Sequence, residues 1–500
     1  LGKKGQKGVV LKEIKLMICC WQDANREKTT FQGFREETLP LKYPPCFLAS
    51  YNNTQALINT WSKSVVRVRP GLNYHIKRRR LSSPIQNLNM LQSENGHYHI
   101  GGVPVSQLCE KYDTPLYVYD TDIMERQYKH LKSAFSGANT KIKFACKALN
   151  NINVMKFFKH IGAGLDTVSI QEVWTGIRAG FDPKDIIYTP NCVSMEEIEL
   201  AVKEGVQINI DNLSILEQFG HKYGDSVPVC IRINPHIMAG GNTNISVGHI
   251  DSKFGISIYQ MRHLERVIKS EKIRVNGLHM HTGSDILDVD VFLRAAEILF
   301  EVTAHFPDLE FVDFGSGFKV PYKPDDYSTD INEVGARLTA NFNDFCKSYG
   351  RDLELWFEPG KFLVSQSGTF LAKVNVIKQT TATVFVGVDS GMNHLIRPML
   401  YNSYHHMTNV SNPNGTPRIY TVVGYICETD TFGWDRKLTE VREGDVIAFH
   451  NAGAYGFTMS SNYNSRFRPA EVMIYKGKDY LIRKRETLED LLRNQVEMEF

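Results

Sequence analysis

The sequence predicts a (β/α)8 TIM barrel joined to a C-terminal antiparallel β domain, a sandwich or small barrel, with a basic N-terminal extension outside both. Three observations lead there. From Leu116 onward, short β-branched or aromatic runs alternate with stretches of helical period, the pattern of βα units. Eight such runs follow one another up to Glu358. Beyond Glu358 helical period fades, and short strands bounded by Gly, Pro and Asn turns take over.

Taken in order, Leu116–Asp120 reads as a strand leading into a helix over Asp122–Phe135. The eight barrel strands are then expected at Ile142–Lys147, Gly164–Val168, Ile186–Thr189, Gln207–Ile210, Pro228–Ile233, Gly277–His281, Glu310–Phe314 and Leu353–Glu358. Helical patterns such as Asn153–His160, Ser194–Glu204 and Val289–His305 separate them. Eight parallel strands, each followed by a helix, close into a barrel. After it, Thr369–Ile377, Thr383–Val388, Arg418–Val423, Asp445–Phe449 and Val472–Tyr475 read as strands. Leu116–Asp120 precedes the barrel and could join that later sheet. The expected division is an extension over 1–89, a barrel over 122–360, and a β domain made of 90–121 plus 361–500.

Composition narrows the class. Hydrophobic residues at 42% and charged residues at 23% are those of an ordinary globular chain. No apolar run approaches the roughly 18 residues of a membrane span. The nine cysteines are scattered and include no Cys-x-x-Cys, which reads as reduced thiols in a cytosol-like compartment. The net charge of +3 hides an asymmetry: residues 1–90 hold 16 basic and 5 acidic side chains, leaving 42 basic and 50 acidic in the rest. The acidic main body argues against a nucleic-acid surface. From Thr38 to Ser93 there is no Asp or Glu, and Lys77-Arg78-Arg79-Arg80 lies inside that run. This extension is read as disordered, as lying upstream of a start at Met90, or as an organellar targeting segment, in which case the cytoplasmic placement changes.

Catalytic groups of such barrels lie at the C-terminal ends of the strands. Lys147 ends strand one, Asp166 lies near the end of strand two and Arg232 near the end of strand five. His281 ends strand six, Gly315-Ser316-Gly317 follows strand seven, and Glu358 ends strand eight. Lys147 is either a strand-end lysine reaching for water or a Schiff-base lysine whose pKa burial depresses. Gly315–Gly317 is either a tight turn or a loop aiming N–H groups at a phosphate. Lysine and loop together point to a phosphorylated aldehyde cofactor, pyridoxal phosphate. Glu358, before Pro359-Gly360-Lys361, would then partner the ring nitrogen. His279-Met280-His281 places its two histidines on one face. It lacks a third ligand at metal spacing, so no metal is expected; His279 reads as a core histidine, His281 as stacking on a ring, and Ser284 as a phosphate donor.

These residues together resemble the fold-type III pyridoxal-phosphate decarboxylases of the alanine-racemase-like barrel family, most closely the diaminopimelate decarboxylases. The similarity runs from about Gly101 to Arg493. It rests on FACKALN (144–150), GAGLDTVS (162–169), HMHTGSD (279–285), DFGSGF (313–318), EPGK (358–361), IRPMLY (396–401), CETD (427–430) and NAGAYGFTMSSNYN (451–464). The resemblance implies that Lys147, Cys427 and His281 are catalytic. It implies cofactor contacts from Lys147, Asp166, Arg232, His281, Ser284, Gly315, Ser316, Gly317, Glu358, Gly360, Lys361 and Tyr455. Substrate contacts would come from Lys361, Arg397, Tyr401, Glu428 and Tyr455. It further implies decarboxylation of meso-2,6-diaminopimelate to L-lysine and CO2 by a homodimer, with Cys427 and Glu428 entering the neighbouring subunit's site.

Three departures stand out. Gly-Ser-Gly replaces the family's triple glycine, so Ser316 needs a permitted φ. Glu-Pro-Gly-Lys replaces Glu-Pro-Gly-Arg, so Lys361 offers a point charge in place of a fork. Asn150 lies one position later than usual. The rival reading is a polyamine-pathway decarboxylase acting on ornithine, arginine or carboxynorspermidine. Arg397 favours a substrate with a distal carboxylate. The long Gly-rich segment from His236 to Ser252 is expected to be a lid over the barrel mouth.

Overall fold

Residues 91–94, 96–237 and 252–500 are described by the computed structural model. The extension at 1–89 and all but the ends of the expected lid lie outside the described residues. Among the described residues no helix is long and apolar enough to cross a membrane. Cys109, Cys146, Cys192, Cys230, Cys346 and Cys427 are free thiols.

Eight parallel strands close on themselves. They are Thr140–Ala145, Gly164–Thr167, Ile186–Tyr188, Gln207–Ile210, Val229–Asn234, Val275–Met280, Phe311–Asp313 and Glu354–Phe357, and the last pairs back onto the first. Ile256–Ser257 adds a short pairing beside the fifth. Each strand alternates between the barrel interior and the helices. On the first strand Phe144 stacks on Phe158 of helix Ile152–His160, while the neighbouring Lys143 turns inward over the Trp356 ring. Phe311 and Trp356 stack with centroids 3.6 Å apart and, with Ile187 and Cys230, fill the barrel centre.

The helix count differs from expectation in one respect. Strand eight is followed by only the short helix Lys361–Val364. The place of an eighth barrel helix is taken by Thr121–Ala134, which precedes strand one and packs against helix Ile331–Tyr349. Its amphipathic pattern buries Ile123, Met124, Gln127, Tyr128 and Leu131 against the barrel, and the Asp120 side chain caps its start.

The second sheet has nine strands centred on Gly368–Gln379. Leu116–Asp120 pairs antiparallel with that strand and parallel with Ala470–Tyr475, so chain from before and after the barrel shares one sheet. A second parallel pairing joins Val384–Val388 to Pro417–Val423, so the sheet is mixed where an antiparallel one was expected. Its edges are Thr431–Thr439 and Lys478–Arg483. A small three-stranded sheet, Gln92–Glu94, His97–Ile100 and Val103–Pro104, precedes these elements.

Candidate active site

The strand C-termini open on a cavity of about 410 Å3. Lys147 lines it. Strand one stops at Ala145, and a single 3-10 turn, Cys146–Ala148, carries the lysine just past the strand end. Tyr455 N donates to Ala148 O at 2.8 Å and pins that turn. Lys147 Nζ donates to Asp166 Oδ2 at 2.8 Å. Burial alone would lower the lysine, but the charges of Asp166, Tyr455 and Glu358 outweigh it and raise it. The expectation of a lysine depressed by burial is therefore corrected: in this setting Lys147 is held as a cation by its carboxylate partner. Burial and the Glu358 charge raise Asp166, and Lys147 pulls it back down, for a net rise.

The turn after strand seven faces the same cavity. Gly315 and Gly317 have φ of 58° and 130°, whereas Ser316 is not among the positive-φ residues, so the departure from three glycines carries no strain. A Cβ at Gly315 would stand 2.8 Å from His281 Nδ1, and one at Gly317 would stand 2.5 Å from Gly283 O. Ser316 N donates to His281 Nδ1 at 3.3 Å, which leaves the ring proton on Nε2. Burial, with Arg232 and Lys147 nearby, pushes His281 down to about 3, so the ring is neutral at working pH. Ser284 lines the cavity beside this loop, as do Gly360 and Lys361.

At the cavity floor lie buried acids. Glu358 accepts from His279 Nε2 at 3.0 Å and, more weakly, from Thr189 Oγ1 at 3.5 Å. Burial would raise Glu358, but the His279 contact and Lys147 prevail and lower it. His279 is thus a cavity residue bonded to Glu358, not only a core histidine. Asp313 is fully buried, and oxygens of Asp313 and Glu358 and a His279 nitrogen lie within 4.8 Å of one another. Arg232 lines the wall with its guanidinium 4.7 Å from the Phe254 ring centroid.

A second cavity of about 780 Å3 holds Arg397. Lys361, on the wall of the first cavity, ion-pairs with Asp285, on the wall of the second, which places that pair between them. The guanidinium of Arg397 stands 5.7–5.8 Å from the rings of Tyr322, Tyr401 and Tyr455. Its Nε is buried without a hydrogen-bond partner among the described residues. Tyr455 thus lines the first cavity and stands beside Arg397 of the second, and Tyr401 also stands beside Arg397.

Two of the expected residues are elsewhere. Cys427 and Glu428 are exposed and line neither cavity. Cys427 Sγ accepts from Asn464 Nδ2 at 3.0 Å, and Glu428 accepts from Tyr463 Oη at 2.5 Å. The buried Asp430 carboxylate accepts from Met392 N and Ile426 N, fixing the turn that presents both side chains to solvent. Sequence reasoning missed Asp285, Thr189 and Phe254, and it gave Asp313 no function although the residue lies inside a recognised motif. A strand-end acid at Asp313, two positions after inward-facing Phe311, was the available signal.

Residues 121–365 match the family model for the pyridoxal-binding domain of pyridoxal-dependent decarboxylases. The diaminopimelate decarboxylase of Methanothermobacter thermautotrophicus is 39% identical over 413 residues, 81% of this chain and 96% of that protein. That of Bacillus subtilis is 36% identical, covering 80% and 96%. Among solved structures, diaminopimelate decarboxylase from Methanocaldococcus jannaschii in complex with L-lysine superposes with a TM-score of 0.76 at 30% identity, covering 82% of this chain and 98% of that one.

Proposed function

The chain belongs to the diaminopimelate decarboxylase family of pyridoxal-dependent decarboxylases, and from that premise we propose how its two cavities divide the reaction. It is a carboxy-lyase that converts meso-2,6-diaminopimelate to L-lysine and CO2, with pyridoxal phosphate as cofactor. When bound, the cofactor supplies an electron sink for the pair released as CO2 departs.

The residues of the first cavity fit that group. Lys147 offers an amine on an open wall, Gly315 and Gly317 leave no room for a Cβ, and Glu358 offers a buried carboxylate opposite. In this reading Ser284, Gly315, Ser316 and Gly317 hold the phosphate, with Gly360 and Lys361 beside them. His281, neutral and fixed by Ser316 N, would pack on the ring face. Glu358 would face the ring nitrogen and favour its protonated form. Arg232 and Asp166 balance charge around Lys147. Before Lys147 can act as a nucleophile its Nζ must give up a proton, and Asp166 Oδ2 is the acceptor in reach.

The observation that carries the substrate assignment is the unpartnered, buried Nε of Arg397 in the adjoining cavity. A substrate with an amino-acid group at each end needs a cation for its distal carboxylate, and Arg397 can supply a charge-assisted hydrogen bond there. Tyr401 and Tyr455 flank that end. Ornithine ends in an ammonium, which a cationic wall disfavours. The barrel over 122–360 thus carries most of the cofactor residues, and the distal pocket is lined jointly by barrel residues such as Asp285 and Tyr322 and by Arg397 to Arg436 of the β domain.

Because Cys427 and Glu428 face solvent, they serve a second copy of the chain. In a homodimer the partner subunit's Cys427 would return a proton to the substrate carbon after CO2 has left. Incubating the protein with meso-diaminopimelate, ornithine and arginine and scoring CO2 tests the reading. Release from diaminopimelate alone is expected; release chiefly from ornithine or arginine would replace it with the polyamine-pathway reading.

A further inference from the structure

At the cavity floor, the carboxyl group of Glu358 lies close to that of the fully buried Asp313. Their oxygens lie within 4.8 Å, and each residue is under a tenth exposed. Two carboxylates so close and so little exposed disfavour each other's charge. Their hydrogen bonds say which one yields. Glu358 already receives His279 Nε2 at 3.0 Å and Thr189 Oγ1 at 3.5 Å. Among the described residues Asp313 receives Gly315 N, at 2.7 Å on Oδ1, and its buried Oδ2 has no partner.

We propose that Asp313 is a positioning residue that stays protonated and uncharged beside Glu358, with its Oδ1 anchoring the Gly315–Gly317 loop. The proton keeps Glu358 an anion aimed at the ring-nitrogen end of the cavity. The Oδ1 bond ties that aim to the loop assigned to the phosphate, so one side chain sets both ends of the cofactor site. The surroundings agree. Burial and the Glu358 charge raise the Asp313 carboxyl well above the usual range. The other titratable and charged groups around the pair are Asp166, Lys147, His279, Arg232, Lys143 and Cys230. Among them Lys147 already has Asp166 as a carboxylate partner, while Lys143 bonds the Asp185 carbonyl and faces the Trp356 ring.

The inference rests on the assignment of Glu358 to the ring nitrogen, and its test separates the two. Infrared difference spectra of the holoenzyme, wild type minus Asp313→Asn, are expected to show a protonated-carboxyl carbonyl band at neutral pH. Labelling with 13C-aspartate should shift that band, and this arm needs no substitution. Asp313→Asn offers an N–H for the lost O–H and keeps an oxygen for Gly315 N. It should retain the bound cofactor's visible absorption and a kcat within about threefold of wild type, whereas Asp313→Ala should lose about tenfold or more. A wild type that binds cofactor and releases CO2 but shows no aspartic-acid band would overturn the proposal. So would an Asn variant as impaired as the Ala variant. A wild type without cofactor absorption or CO2 release would instead sink the parent reading, while the band is still read on the same protein.

Discussion

The floor of the barrel cavity and the Ile426–Asp430 turn of the β domain both gather acids, and they treat them in opposite ways. At the floor, Asp166, Asp313 and Glu358 are almost wholly removed from solvent, and Lys147 and His279 are bonded to them. In the turn, one acid, Asp430, is held inside by two backbone amides, while Cys427 and Glu428 are exposed and their side chains bond Asn464 and Tyr463. A rigid, buried charge cluster within one chain is suited to holding a cofactor. A rigid turn that exposes a thiol and a carboxylate is suited to another copy's cavity. On the proposed reading, the difference is that between two complementary halves of a site carried by one chain.

The comparison breaks most visibly at Lys147. Lys147→Ala should abolish the visible absorption of bound cofactor and cut turnover by at least about a thousandfold. Absorption spectra and CO2 release on the same preparation check both, and an active variant would remove the buried half of the contrast. Arg397→Met probes the adjoining cavity. It should raise the KM for diaminopimelate by about 10- to 100-fold, with less change in kcat, because a charge-assisted bond to the distal carboxylate is lost. An unchanged KM would place that carboxylate elsewhere.

Acid should separate the two domains more gently. His281 in the barrel is pushed down to about 3, and in the β domain burial pushes His405 and His450 to about 3 and His394 to about 4. Each folded-state value lies below that of the unfolded chain. The stabilisation is therefore full above the unfolded pKa of about 6.5 and is lost as pH falls from there toward 3–4, by up to about 1.4 kcal/mol per histidine per pH unit. Thermal melts followed by hydrogen exchange should show Tm falling below about pH 6.5, with the β domain loosening first. A Tm flat from pH 7 to about pH 5 would contradict this.

Much of this was legible in the sequence, and the gaps have physical causes. The barrel strands announced themselves because their outer faces pack on helices and their inner faces on each other, giving short apolar runs such as Val229–Asn234. Two of the strands that were missed, Thr431–Thr439 and Lys478–Arg483, are sheet edges. Exposed and charged positions such as Asp435 and Lys478 break their alternation, as edge strands require. The helix expected over Asp122–Phe135 was legible as a helix, but its period says nothing of which place in the barrel it fills. The residues around Lys147, Glu358 and Gly315–Gly317 could be marked from strand-end position. The Lys361–Asp285 pair and the Asp313–Glu358 contact could not, because they join segments 76 and 45 positions apart through the closure of the barrel.

Subunit mixing tests the two-halves account most directly. Cys427→Ala alone and Lys147→Ala alone should each be inactive. Exchanged at random into one pool, they should restore one intact cavity in each mixed dimer and recover up to about a quarter of wild-type activity. No recovery, with exchange of subunits demonstrated by mass, would contradict the account and return Cys427 to an ordinary surface thiol.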